Sequence, residues 1–297
     1  MHLIEYIIFK LFKTFLYLIP RRFCISIGKI CGFFYFYLDR KRKRIALTNL
    51  SLAFPNKPFN FRRKIALKSF IHFGMILFDL IKISTMKNEK INSIFDMEGE
   101  ENIIKAKSQG KGVLLFTAHF GNWEIAPKII SRLGKLNVIA RPLDNPLLEK
   151  ELLKFRNKLG SKVIYKKEAS RKVLSALKNK EMVAILIDQN VLRSEGIFVD
   201  FFGKKASTTP SLAAFHLRTG APLVPVFCLP INRNKYKIHI RVPFQIPRSK
   251  SHDGDILQIT QKCTKIIERE IRENPSFWLW FHERWKTRPE REEKVKK

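Results

Sequence analysis

The spacing of apolar residues changes along this chain. Residues 1–38 are apolar and aromatic almost throughout, interrupted by Glu5, Lys10, Lys13, Arg21, Arg22 and Lys29. Residues 45–54 read as a short helix stopped by Pro55, and 61–84 place Ile65, Ile71, Met75 and Phe78 at helical spacing. From Phe95 onward the pattern alternates. Apolar blocks at 95–98, 113–116, 136–140, 162–165, 182–187, 197–202, 222–229 and 236–242 read as strands. Stretches of helical period at 100–108, 146–159, 169–177, 210–219 and 256–272 separate most of them. Strands alternating with helices predict an α/β fold with a mainly parallel central sheet flanked by helices. Continuous apolar runs such as 113–116 predict strands covered on both faces.

The candidate chemistry gathers where these strands end. In the stretch 111–133, a strand is followed by Phe120-Gly121-Asn122 and then by Ile125, Ile129, Ile130 and Leu133 at helical spacing, with Gly134 as the stop. Gly121 permits a sharp turn, and Asn122 is suited to cap a helix. His119 falls at the strand's C-terminal end, the edge where open α/β sheets take their ligands. Glu124 falls in the first turn of the expected helix. A carboxylate there can hold one imidazole nitrogen protonated and leave the other to accept a proton from a hydroxyl. The helix N-terminus offers backbone N–H groups to a developing oxyanion. A His and a Glu five apart also recur at loops without any chemistry. No second His or Cys stands at ligand spacing, and HFGNWE is not an H-E-x-x-H helix, so a metal is not expected. Two more strand ends carry polar groups: Arg141 after 136–140, where Pro142 stops the strand, and Asp188-Gln189 after 182–187. A carboxylate at 188 can bond hydroxyls or orient a neighbouring Arg.

TAHFGNWE resembles the H-x4-D/E block of glycerolipid-type acyltransferases, and its flanks resemble one branch, the late acyltransferases of lipid A biosynthesis. VIARPLDNP, ILIDQNVLRSEGIFVDFFGKKASTTP and PSFWLWFHERWKTRP agree with that branch in order and spacing, so the likeness runs from about Arg40 to Pro289. The resemblance implies an O-acyltransferase that moves a fatty acyl chain from a thioester, with acyl carrier protein as donor, to a hydroxyl of a lipid A precursor. His119 is then the general base and Glu124 its orienting partner. Arg141, Asp188 and Gln189 hold the acceptor's phosphate and sugar, a guanidinium being suited to phosphate by its forked hydrogen bonds. No metal or organic cofactor is implied. The chain departs from the glycerolipid enzymes at Ser194-Glu195-Gly196-Ile197, which lacks their Thr-Arg pair. That argues against a glycerol-3-phosphate acceptor and leaves Glu195 without a role. Phe198, Phe201 and Phe202 fit either an acyl tunnel or plain core.

Charge and the N-terminus extend this picture. Lys and Arg number 57 against 26 Asp and Glu, a formal charge of +31, which calls for an anionic partner. No nucleic-acid module is recognisable, so nucleic acid is not expected. An anionic membrane surface and the acidic carrier protein fit better. Residues 1–40 are expected to anchor the chain to the membrane and 41–297 to form the catalytic domain. Lys10 and Lys13 share a helical face, as in a helix lying in the interface, and whether 1–20 spans or lies flat stays open. Arg40 to Arg44, five basic residues in a row, read as contact with anionic lipid on the cytoplasmic side of the inner membrane. The four scattered cysteines suit a reducing compartment. His72 and His216 read as packing residues, and His282-Glu283 as neighbours pointing apart. A different glycolipid or aminolipid acceptor is the nearest rival reading; a non-enzymatic lipid-binding protein is the rival from another class.

Overall fold

The computed structural model describes residues 2–231 and 235–289. Four helices come first: α1 (His2–Leu18), α2 (Arg21–Leu38), α3 (Arg40–Ala53) and the long α4 (Phe59–Ser84). The α/β part follows as α5 (Asn88–Asn92), β1 (Phe95–Glu98), α6 (Glu100–Lys107), β2 (Val113–Thr117), α7 (Pro127–Ile130), β3 (Leu136–Ala140), α8 (Pro146–Lys158), β4 (Ser161–Tyr165), α9 (Ala169–Lys178) and β5 (Met182–Leu186). It is completed by β6 (Ile197–Phe201), β7 (Lys204–Thr208), α10 (Ser211–Thr219), β8 (Leu223–Pro230), β9 (Tyr236–Ile240) and α11 (His252–Glu273). The large sheet has the order β1-β9-β8-β2-β5-β3-β4. Every pair in it is parallel except β8 with β9. The mainly parallel sheet expected from the alternation is therefore present.

The uninterrupted apolar strands have their cause in this arrangement. Side chains alternate across a strand. Leu114 and Phe116 of β2 join one core, with Val173 of α9, Leu212 of α10 and Ile259 of α11. Val113 and Leu115 join the other, with Ile103 of α6 and Ile129 of α7. A strand buried on both faces has no polar side to show.

One strand escaped the sequence reading. β7, Lys-Lys-Ala-Ser-Thr, is mostly polar and pairs only with β6, as a separate antiparallel hairpin. Phe202 and Gly203 at its turn both have positive φ, 54° and 72°, as a two-residue hairpin turn of this twist requires. The Phe202 N–H is met by Glu268 of α11 at 2.9 Å.

The N-terminal helices pack through one apolar face, where Leu16, Cys24, Phe78 and Ile81 are buried together, and through polar and small residues, and they turn other apolar residues outward. Lys13 reaches Glu151 of α8 at 3.0 Å, and Asn145 donates to Glu5 at 2.7 Å. Lys10 approaches the same Glu151, so the two lysines do share a face. Meanwhile Leu3, Ile4, Ile7, Ile8, Leu11 and Leu18 are exposed. α2 lies backbone to backbone on α4, because glycines face each other: a Cβ on Gly32 would sit 2.3 Å from the Phe70 carbonyl oxygen. Arg21 of α2 and Tyr236 of β9 both bond the buried Asp79 of α4, each contact at 2.6 Å. No helix among the described residues is long and apolar enough to cross a membrane.

Candidate active site

The parallel ladder of β2 and β5 builds the site. It pairs Val113 with Met182 and continues in step to Thr117 with Leu186. The Ile187 N–H then donates to the Thr117 carbonyl at 3.3 Å. Carried two residues further, the same register sets His119 beside Asp188. Asp188 Oδ2 accepts the His119 backbone N–H at 2.9 Å, and Oδ1 faces the imidazole Nδ1 at 2.9 Å. The Trp278 indole N–H donates to Oδ2 at 2.8 Å. Asp188 is buried. Burial works to raise its pKa, but the neighbouring imidazole and these hydrogen bonds outweigh it, and the carboxyl lies below the usual range. The side-chain nitrogen of Gln189 lies 3.2 Å from His119 Nε2. With Nδ1–H donated to Asp188, Nε2 carries the lone pair and the amide donates to it.

The loop after β2 is pressed against its neighbours. The Gly121 N–H goes to Phe277 O at 2.9 Å, and the Asn122 N–H to Cys228 O of β8 at 2.7 Å. Gly121 has φ +62°, and a Cβ there would lie 1.9 Å from Cys228 O. Only glycine fits both the backbone angle and the approach. The tail after α11 closes the back of the site, with the Leu279 N–H bonded to His119 O at 3.1 Å.

The structure spreads the expected site residues over different partners. Glu124 does not meet His119; it forms a forked ion pair with Arg156 of α8, Nε to Oε1 at 2.6 Å and Nη2 to Oε2 at 3.0 Å. The reason is local. Residues 123–126 are turn, and the helix starts only at Pro127 and lasts one turn. The amides of Gly121 and Asn122, near the start of the expected helix, are already spent on Phe277 and Cys228. Arg141 does follow β3 at the predicted edge, but its side chain is 81% exposed and pairs with Asp144. β5 stands between β3 and β2, which puts Arg141 roughly 10 Å to the side. Phe201 and Phe202 are buried among Trp278, Trp280 and Trp285, as core and not as a tunnel wall.

The histidines read as packing residues are buried. Burial pushes His72 down to about 3, and its ring lies against Phe277. His216 bonds the Ala221 carbonyl at 2.8 Å. His282 accepts the Asn190 N–H at 3.1 Å, and burial lowers its pKa.

Three site residues were not picked out from the sequence. Trp278 stands in the sequence only as one residue of the stretch PSFWLWFHERWKTRP. Arg156 had a readable signal: it stands four residues after Leu152 and one after the buried Phe155, and a cation on a buried face needs a carboxylate. Burial opposes its charge, but Glu124 outweighs that and raises its pKa. Arg284 is buried in the tail and donates to Ser207 O at 2.6 Å, to Gln189 O at 3.4 Å and to the Thr208 hydroxyl. It ties the end of the β5 segment to the hairpin, and burial pushes it down to about 10.

An apolar groove of about 470 Å³ runs between α2 and α4 and ends at Trp123 and Glu124. Tyr35, Phe73, Leu77 and Phe281 line it further along. The Trp123 ring lies 5.0 Å from the His119 ring, so the groove opens beside the imidazole. Among the described residues no group of three or more His, Cys, Asp or Glu is arranged to hold a metal ion.

Known proteins share this chain's sequence over most of its length. The palmitoleoyltransferase of lipid A biosynthesis from Escherichia coli is 28% identical over 84% of this chain and 80% of its own. The lauroyltransferase of the same organism is 27% identical over 84% and 81%. A phosphatidylinositol mannoside acyltransferase of Mycobacterium tuberculosis is 25% identical over 72% and 67%. The crystal structure of a 1-acyl-sn-glycerophosphate acyltransferase from Thermotoga maritima overlays 84% of this chain and 97% of that one, at 15% identity and a TM-score of 0.39; so loose a match assigns nothing. The sequence pattern of the bacterial lipid A biosynthesis acyltransferases matches residues 1–287, and with it the chain belongs to that family and is an acyltransferase of the lipid A type.

Proposed function

We propose that this enzyme moves a fatty acyl group from an acyl thioester of acyl carrier protein to a hydroxyl of a lipid A precursor. In this reading it works at the inner membrane with its catalytic domain on the cytoplasmic side. His119 is the general base. Its Nε2 takes the proton of the acceptor hydroxyl as that oxygen attacks the thioester carbonyl. The tetrahedral intermediate collapses, the C–S bond breaks, and the imidazolium returns its proton to the departing thiolate. Asp188 keeps Nδ1 protonated and balances the imidazolium charge. Gln189 stands where the incoming hydroxyl must bond, so its amide swings aside when the acceptor arrives. Glu124 yields the orienting role to Asp188 and, with Arg156, stiffens the groove's mouth. The groove takes the acyl chain, and Arg141 meets the acceptor's phosphate at the exposed edge. Residues 1–40 hold 41–297 at the bilayer through the outward apolar face of α1 and α2. No metal or organic cofactor enters this scheme.

The observation that carries this reading is the His119–Asp188 pair, held by the sheet register, with the second ring nitrogen of His119 turned to the Gln189 amide. The test is the transfer rate of the purified enzyme with acyl carrier protein thioester and a lipid A precursor. His119→Ala and Asp188→Asn are expected to lose about a thousand-fold; an Asp188→Asn enzyme at full rate would remove Asp188 from the mechanism.

The mycobacterial relatives favour a second acceptor, a phosphorylated glycolipid of another kind. Mass spectrometry of lipids from a deletion strain separates the two. Lipid A that lacks one acyl chain, restored by the wild type and not by His119→Ala, supports the first. An unchanged lipid A beside an altered glycolipid supports the second.

A further inference from the structure

A second concavity, of about 510 Å³, lies on the outer side of the α3–α4 hairpin, away from the residues of the candidate site. Arg40, Lys43 and Arg44 of α3 and Arg62 of α4 line it, with the hydroxyls of Thr48 and Ser51 and the ring of Phe59. Sequence runs bring only the first three together; the helix hairpin adds the fourth from another element. Among the described residues none of the four cations makes an ion pair. Lys43 rests over the rings of Phe36 and Tyr37, at 4.8 and 5.4 Å. The nearest acid in sequence, Asp39, is occupied in capping α3 through the Arg42 N–H at 2.8 Å. Four like charges around one hollow, with no counter-charge among the described residues, hold an unmet demand for an anion.

We infer that this hollow is a headgroup site for an anionic phospholipid of the bilayer, distinct from the acyl-transfer site, and that it sets how the enzyme sits on the membrane. The rim decides between lipid and protein as the occupant. Phe59 in the wall is 56% exposed, and Leu38, two residues before Arg40, is 79% exposed. Phe33, Phe34 and Tyr37 at the end of α2 are exposed too. This apolar edge continues into the outward faces of α2 and α1. An acidic protein surface offers charge but no reason for a broad apolar border. A phospholipid offers both, with its phosphate among the guanidinium groups and its tails beside the aromatic rim.

The inner face of α3 carries the consequence to the active site. Asn49 donates to the Trp280 and His282 carbonyls, each at 2.7 Å, and Arg42 to the Phe281 carbonyl at 3.2 Å. That tail segment also contains Trp278, which bonds Asp188. A headgroup held on the outside of α3 thus fixes, through rigid contacts, the height of the catalytic pair above the lipid.

The inference rests on the reading of a membrane-surface enzyme, and the experiment keeps the two apart. The full chain is sedimented with phosphatidylcholine vesicles containing or lacking phosphatidylglycerol, at physiological salt. The variant R40Q/R44Q/R62Q is compared with K105Q/K178Q/K250Q, which removes the same charge from exposed sites on other elements. Circular dichroism confirms that each is folded. At about five-fold per basic residue near a charged bilayer, the pocket variant is expected to lose about 100-fold in affinity for the anionic vesicles while keeping its weaker binding to phosphatidylcholine. The control is expected to lose only a few-fold. Equal losses would overturn the pocket in favour of a delocalised field. Unchanged vesicle binding with lost binding of acyl carrier protein would assign the hollow to the donor protein and overturn the inference. No preference for phosphatidylglycerol by the wild type would also overturn it, and acyl transfer to a detergent-dispersed acceptor would then show whether the enzymatic reading survives.

Discussion

Two carboxylates compete for the role beside His119, and they differ in what positions them. Glu124 is five residues away in sequence, on a loop whose course is set by Gly121, by β8 and by a late helix start. Asp188 is 69 residues away, yet the ladder of β2 and β5 delivers it in register. The near residue turns to Arg156, and the far one takes both the backbone and the ring of His119. Proximity in sequence is a weak guide where a loop intervenes, because a few φ/ψ changes re-aim a side chain completely. A parallel ladder tolerates no such freedom, since slipping by one residue would put every side chain on the wrong face.

The sharpest way to break this comparison is to measure transfer rates for Asp188→Asn and Glu124→Gln side by side. Asp188→Asn is expected to lower kcat about a thousand-fold, about 4 kcal/mol of barrier, with KM little changed. Adding His119→Ala should cause almost no further loss, because the two act as a unit. Glu124→Gln is expected to combine with His119→Ala additively. A strong coupling between Glu124 and His119 in that cycle would restore the local pair.

Gly121→Ala tests whether the loop is as constrained as its contacts state. The added Cβ meets the Cys228 carbonyl at a positive φ, so a loss of at least about 3 kcal/mol is expected from the strain and the forced shift. Chemical denaturation reads it directly. The ion pair comes next. Glu124 and Arg156 are only 16% and 13% exposed. Glu124→Gln, which leaves the guanidinium without its charge partner, should cost about 3 kcal/mol. The double change Glu124→Gln with Arg156→Met should return most of it. A stability equal to wild type in Glu124→Gln would mean that the pair does not hold the loop.

The smallest effect concerns pH. His72 titrates at about 3 in the fold and near 6.5 unfolded. Between these values the unfolded chain binds more protons, so stability is complete above about pH 6.5 and declines as the pH falls toward 3. At pH 5 the loss from this residue is about 2 kcal/mol. His72→Phe is expected to keep the stability at neutral pH and to flatten the acid slope by that amount. His282, also lowered by burial, leaves a smaller slope of the same sign.

Much of this architecture was legible because periodicity is local. The strand blocks at 113–116, 136–140 and 182–187 were read within about a residue or so of β2, β3 and β5, since burial on both faces leaves no other apolar pattern. β7 was missed because a hairpin lying outside the main sheet needs only half of an apolar face. His119, Arg141, Asp188 and Gln189 were all recognisable as strand-end groups. Their convergence was not: it depends on strand order, which puts β5 beside β2 and β3 one place further out. Trp278 and Arg284 reach the site from the end of the chain, and no local spacing connects them to residues 119 or 188.

The sequence by itself determined the α/β class, the strand ends at which polar groups collect, the family and the apolar N-terminal helices. Each of these follows from short-range spacing or from contiguous motifs. Only the tertiary structure decided which carboxylate holds the histidine, that Arg156 claims the other, and that α3 and α4 together enclose a cationic hollow. Those outcomes depend on strand order, register and helix pairing, which arise from the packing of the whole chain against itself.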